Sequence, residues 1–269
     1  MRWLIVIDGS DRSEEAAAFA AQLVQPGEDE ILLLAVRNTG MAAELEAEMG
    51  RVREQFAGFD LRTLNSRDPA NDAVEAAVGE RVDLVVYGSR GRRGLSRLLL
   101  GSVAARLEHD LACSLLVVRG QTGPIRKILV ATGLYPGRMT QTELAGRFAG
   151  LTGARVTILH VMSQLVLHDD AVGVQLGLDA EEAIRHGTRE GEALQERLVY
   201  LKERGIDAEA RLRHGLVLDE VGAELDKGDY DLLIIGGHRV PSDLPFAGLL
   251  AEDVADHILM HTRTHVLIA

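Results

Sequence analysis

A run of apolar residues that closes on a short polar side chain and a glycine occurs twice, as Leu4-Ile5-Val6-Ile7-Asp8-Gly9 and as Ile128-Leu129-Val130-Ala131-Thr132-Gly133. After each copy, strand-length apolar runs alternate with stretches of helical period, the pattern of βαβ units feeding a parallel sheet. In the first copy the apolar runs are Leu4 to Ile7, Ile31 to Val36, Leu61 to Leu64 (the weakest), Leu84 to Tyr87 and Leu115 to Val118. The second copy matches the later ones with Val156 to Val161, Ala210 to Arg213, Leu232 to Ile235 and Val266 to Ile268. The first helix turns Ala16, Phe19, Ala20 and Leu23 inward, with its start marked by Asp11 and Glu14 and its end by Pro26-Gly27. Further helices are predicted over Ala42 to Phe56, over Ala70 to Val78 behind Asp68-Pro69, and from Ser102 onward. The second copy has a longer second helix, Glu181 to Arg204.

Gly120-Gln121-Thr122-Gly123-Pro124 has the composition of a linker. The expected fold is therefore α/β, a tandem duplication with domains at residues 1–120 and 125–269, each a five-stranded parallel sheet covered by helices. Each copy ends in a short apolar strand, and bare apolar edges aggregate. The two edges are expected to pair or cover one another across a pseudo-twofold axis, so that one chain imitates a dimer. Whether two such chains assemble further stays open.

Composition narrows the partners. Forty-one acidic against 29 basic residues give a net charge of −12, which argues against general affinity for nucleic acid or anionic membrane. No apolar run is long enough to span a bilayer, and no signal peptide is visible at the start. The single cysteine, Cys113, permits no internal disulfide, so the cytoplasm is the expected compartment.

Against that acidic background, Leu84 to Leu107 holds five arginines and no acid. The segment joins the end of a strand to a helix start at Ser102, where free backbone N–H groups and the helix dipole favour an anion. Gly88, Gly91, Gly94 and Gly101 let the backbone approach a ligand, with Arg90 and Arg92 supplying charge, and phosphate is the natural occupant. The plain alternative is a surface loop with solvated arginines. Open parallel sheets bind ligands at the carboxyl ends of their strands, where strand order reverses. A central first strand beside the fourth would set Asp8, Gly9 and Ser10 across a crevice from that loop. Asp8 would accept from a ribose or adenine, and Ala35 and Val36 would offer apolar surface to the base. Asp8 is equally the residue type of a turn or cap.

The spacing Gly88-x2-Gly91-x9-Gly101-Ser102 resembles the nucleotide motif of the ATP-binding branch of the universal stress protein family. Ile5 to Ser10 resembles that family's opening strand and turn, and Cys113 to Val118 its closing strand, so the resemblance covers nearly the whole chain as two copies. It implies strand order 3-2-1-4-5. It also implies that Asp8 and Val36 contact the adenosine of ATP, ADP or AMP, and that Gly88, Gly91, Gly101 and Ser102 contact its phosphates. Mg2+ would be held through those phosphates rather than by side chains.

The second copy departs from the pattern. Thr132 stands for Asp8, Gly236-Gly237-His238-Arg239-Val240-Pro241 replaces the basic loop, and Gly248 is followed by Leu249 rather than serine. Pro241 and Pro245 remove backbone donors. This half is expected not to hold ATP in the same way and to serve structure or an unknown protein partner. His257 and His261 have the spacing of a helical ligand pair, yet without a glutamate between them and with His265 starting a strand they read as structural or solvated. Cys113 reads as packing. The chain has no Walker loop and no Gly-x-Ser-x-Gly elbow, so no catalytic residue is expected. Three readings follow: a nucleotide-dependent stress-response regulator, a nucleotide-independent scaffold, and a slow ATP hydrolase or self-phosphorylating protein with Ser96 and Ser102 as the nearest hydroxyls.

Overall fold

The computed structural model describes residues 1–37, 42–89, 102–119, 122–134, 138–162, 177–236, 255 and 257–269. The chain divides into two compact units, Met1–Pro124 with Arg263–Ala269, and Ile125–Thr262.

In the first unit, β1 (Arg2–Ile7), β2 (Glu30–Val36), β3 (Asp60–Ser66), β4 (Leu84–Ser89) and β5 (Ser114–Arg119) alternate with α1 (Asp11–Ala20), α2 (Ala42–Gln55), α3 (Pro69–Gly79) and α4 (Ser102–Asp110). The strands are parallel and lie in the order β3-β2-β1-β4-β5. The chain first winds from β1 outward to β3, then returns to the other side of β1. Right-handed crossovers then place α1 and α2 on one face and α3 and α4 on the other, and each pair packs together. Covered on both sides, β1 shows no alternation: Trp3 to Ile7 are at most 2% exposed. β3 is the outer strand, and Asp60, Arg62, Thr63 and Asn65 make its exposed surface polar, which is why its apolar signal is weak.

The caps correct one sequence expectation. Ser10, not Asp11, caps α1, accepting from the Ser13 N–H at 3.4 Å, so Asp11 is already helical. Asp68 caps α3 as expected, accepting from the Asn71 N–H at 3.3 Å with Pro69 behind it.

The second unit runs β6 (Lys127–Ala131), α5 (Thr140–Thr152), β7 (Arg155–Met162), α6 (Ala180–His186), α7 (Arg189–Lys202), β8 (Ala208–His214), α8 (Val217–Gly228) and β9 (Leu232–Ile235). Its strands pair in parallel in the order β8-β7-β6-β9. The single helix expected over Glu181 to Arg204 is two. Gly187 ends α6 in the left-handed conformation at φ +65°, and the Thr188 hydroxyl caps α7 by accepting from the Gly191 N–H at 3.0 Å.

The last strand, β10 (His265–Ile268), belongs to the first unit. It pairs antiparallel with β5, Val266 opposite Val117, Leu267 opposite Leu116 and Ile268 opposite Leu115, as expected for the two closing strands. His265 Nδ1 accepts from the Arg119 N–H at 2.9 Å, and its ring lies 4.2 Å from that of Phe19 on α1. Among the described residues, no helix is long and apolar enough to cross a membrane.

Candidate functional site

The strand order of the first unit reverses between β1 and β4, and of the sequence-predicted residues Asp8, Gly9, Ser10, Ala35, Val36 and Gly88 lie at or just beyond the carboxyl ends of β1, β2 and β4. Ile7 is opposite Ala35 on β2, and Ile5 is opposite Val86 on β4. Continued to the strand ends, that register sets Asp8 level with Val36 and Ser89. Ala35 and Val36 are 5% and 6% exposed, so their side chains offer a base little surface.

Asp8 is held by one carboxylate oxygen only. Its Oδ1 accepts from the Ser10 N–H at 3.1 Å, the Ser10 hydroxyl at 2.6 Å and the Ser13 hydroxyl at 2.8 Å. The Asp8 N–H in turn donates to Ser13 Oγ at 3.2 Å. Asp8 Oδ2 has no partner among the described residues and is not buried. Three donors on one oxygen fix the carboxylate plane and leave the other oxygen as a pre-oriented acceptor. The turn and the binding reading of Asp8 are therefore compatible.

Gly9 adopts φ +84°, and a Cβ there would sit 3.3 Å from the Leu45 nitrogen, so the turn lies tight against α2. From that helix comes a residue that sequence reasoning missed. Glu48 is 1% exposed, and its Oε2 accepts from the Gly9 N–H at 2.7 Å. Its Oε1 is buried and has no hydrogen-bond partner among the described residues. Burial pushes its pKa up to about 7. The Ser13 hydroxyl and the Gly9 N–H oppose that rise, while the charges of Asp8 and Glu14 add to it. A signal was present: Leu45, Met49 and Val52 form the apolar stripe of α2, and Glu48 falls inside it.

Gly88 has a packing role of its own. A Cβ on it would lie 2.3 Å from the Arg12 carbonyl oxygen in the first turn of α1, so helix and strand can cross there only over a glycine. Ser89, the last residue of β4, has a buried hydroxyl with no partner among the described residues. Ser102 opens α4 at the far end of the basic loop. Arg90, Gly91, Arg92 and Gly101 lie outside the described residues.

In the second unit the equivalent place is built differently. Ala131 is opposite Leu159 as Ile7 is opposite Ala35, so His160 stands where Val36 stands, beside Thr132 in place of Asp8. His160 Nδ1 donates to the Thr132 carbonyl at 2.8 Å, and burial pushes its pKa down, which keeps the ring neutral. A hydroxyl flanked by an imidazole replaces the anionic acceptor. The replaced loop from Gly237 to Gly248 lies outside the described residues.

His257 and His261 stack at 4.0 Å, and His261 Nδ1 donates to the His257 carbonyl. His265 is buried in β10. Among the described residues, no group of three or more His, Cys, Asp or Glu is placed to hold a metal ion. Cys113 is a half-buried thiol.

The model of the universal stress protein family matches residues 1–119 and 124–269. A universal stress protein of Methanocaldococcus jannaschii is 34% identical over 136 residues, 43% of this chain and 80% of that protein. Among solved structures, a universal stress protein of Archaeoglobus fulgidus superposes over 100% of this chain and 97% of its own, with a TM-score of 0.62 at 15% identity. A functionally unknown Pseudomonas aeruginosa protein covers 99% and 91%, with a TM-score of 0.67 at 18% identity. The structural likenesses speak for the fold, and the two consecutive matches to the family model settle descent: the chain belongs to the universal stress protein family, as a tandem of two copies.

Proposed function

We propose that the first repeat binds an adenine nucleotide, ATP or its ADP or AMP forms, and that the protein works as a nucleotide-dependent regulator. The observation that carries this reading is Asp8, a carboxylate clamped through Oδ1 with Oδ2 open, at the point where strand order reverses. Oδ2 accepts from the ribose hydroxyls. The backbone at Gly9, Ser10, Ala35 and Val36 borders the adenosine. Gly88, Gly91, Gly101 and Ser102 present N–H groups to the phosphates, and Arg90 and Arg92 neutralise them. Mg2+ travels with the phosphates. The second repeat, with Thr132 and His160 in place of the acceptor, does not bind ATP in this manner and serves structure or a protein partner.

Thermal unfolding tests the reading. ATP at about 100 times its Kd stabilises the protein by roughly 2.7 kcal/mol. Asp8→Asn keeps the Oδ1 acceptor, replaces Oδ2 by a donor, and weakens binding by roughly tenfold or more. Gly101→Leu abolishes binding, and Gly248→Leu leaves it intact. Absence of any shift at millimolar ATP, together with no adenine nucleotide released from the purified protein in mass spectrometry, would sink the reading in favour of a nucleotide-independent scaffold.

A further inference from the structure

We propose that Glu48 is a positioning residue of the nucleotide site whose proton couples ligand affinity to pH, so that the site binds most tightly while Glu48 is protonated. The proposal rests on the nucleotide reading and adds a regulation to it.

Glu48 reaches from α2 to the turn that carries Asp8, and its Oε2 receives the Gly9 N–H at 2.7 Å. Gly9 sits in the left-handed region between Asp8 and Ser10, so this one bond fixes the peptide that aims the Asp8 carboxylate. Glu48 is 1% exposed, and although the Gly9 N–H and the Ser13 hydroxyl serve its carboxyl, its Oε1 is buried and has no partner among the described residues. An ionised group in such surroundings is costly, whereas a protonated one costs much less.

The charges around it favour the same form. Asp8 faces Glu48 from the turn and Glu14 from α1, both acidic. Among the described residues the nearby cation is Arg51, one turn further along α2, but it is bound twice by Glu14, at 2.7 and 2.6 Å, in a solvent-exposed pair. The charged residues of β1 and β2, Arg2 and Glu30, pair with each other at the opposite ends of those strands. Burial pushes the Glu48 pKa up to about 7, within the physiological range.

Nucleotide and Glu48 are therefore linked. Binding covers the turn and withdraws it further from water, which favours neutral Glu48. By reciprocity, the proton favours the nucleotide. Affinity falls as pH rises through the Glu48 pKa.

The test is ATP affinity between about pH 6 and about pH 8 for the intact protein and for Glu48→Gln, which imitates the protonated carboxyl. Over that range the wild type loses about fivefold more affinity than Glu48→Gln does, under the ~tenfold per pH unit that one fully linked proton permits. The titration of ATP itself is common to both proteins and cancels in the comparison. Calorimetry of the wild type in two buffers of different ionisation heat gives an independent reading, in which Glu48 takes up protons whereas phosphate moving toward arginine releases them. ATP binding with the same pH profile in both proteins overturns the proposal and leaves the nucleotide reading standing. Should Glu48→Gln not fold, a wild type that takes up no proton at about pH 8, where the phosphate has none left to release, overturns it too. Failure of the wild type to bind ATP at every pH overturns the nucleotide reading, and the proposal with it.

Discussion

A carboxyl that folding transfers from water into the interior without a cation beside it titrates late, and Glu48 is a residue of the first unit where this matters. Its folded pKa, about 7, lies above the ordinary 4.5. Its proton therefore favours the folded state fully at low pH, and that contribution is lost as pH rises through about 7. Thermal unfolding at a series of pH values checks this without any ligand: the melting temperature of the wild type falls relative to Glu48→Gln between about pH 5 and about pH 8. Ser13 is the other residue at the centre of this turn. It is 3% exposed, and its hydroxyl donates to Asp8 Oδ1 while its N–H meets the Ser10 cap. Ser13→Ala removes these hydroxyl bonds and destabilises the protein by about 1–2 kcal/mol in urea unfolding. Asp8, Gly9 and Ser10 were legible in the sequence because turns use few residue types and announce themselves locally. Glu48 was not, because its partner Gly9 is far away in the chain and only the packing of α2 on the turn brings them together.

Elements cross closely where the chain has no side chain. Gly88→Ala would set a Cβ 2.3 Å from the Arg12 carbonyl, against backbone that cannot swing aside as a side chain can. Gly191→Ala would do the same 2.1 Å from the Ala183 carbonyl, where α7 crosses α6. Each is expected to cost about 2–4 kcal/mol, read as a lower urea midpoint. The cost at Gly88 is present with or without nucleotide, because α1 imposes it. The strand pattern, the helix starts at Asp68-Pro69 and Ser102, and the weakness of β3 could all be read from periodicity and turn residues. The break between α6 and α7 could not: Gly187-Thr188 interrupts an otherwise continuous helical pattern by only two residues, and tertiary packing decides that it is a corner.

At the scale of the molecule, sequence repeat and compact unit do not coincide. The family match assigns β10 to the second copy, yet it also pairs with β5 of the first. Val266 and Leu267 are fully buried there, and His265 adds its bond to Arg119. Truncation after Thr262 removes this cover and leaves Leu115 to Val118 as a naked edge. The expected outcome is self-association, seen as a mass increase in light scattering, together with a lower melting temperature. The same arrangement constrains how the protein is born. At about 5–20 residues per second, the ribosome needs on the order of ten seconds to traverse Ile125–Thr262, and throughout that time the emerged amino-terminal half waits with one flank unzipped. A nascent chain of this kind has a window in which a holdase, or a neighbour on the same messenger, can reach that flank before its own tail does.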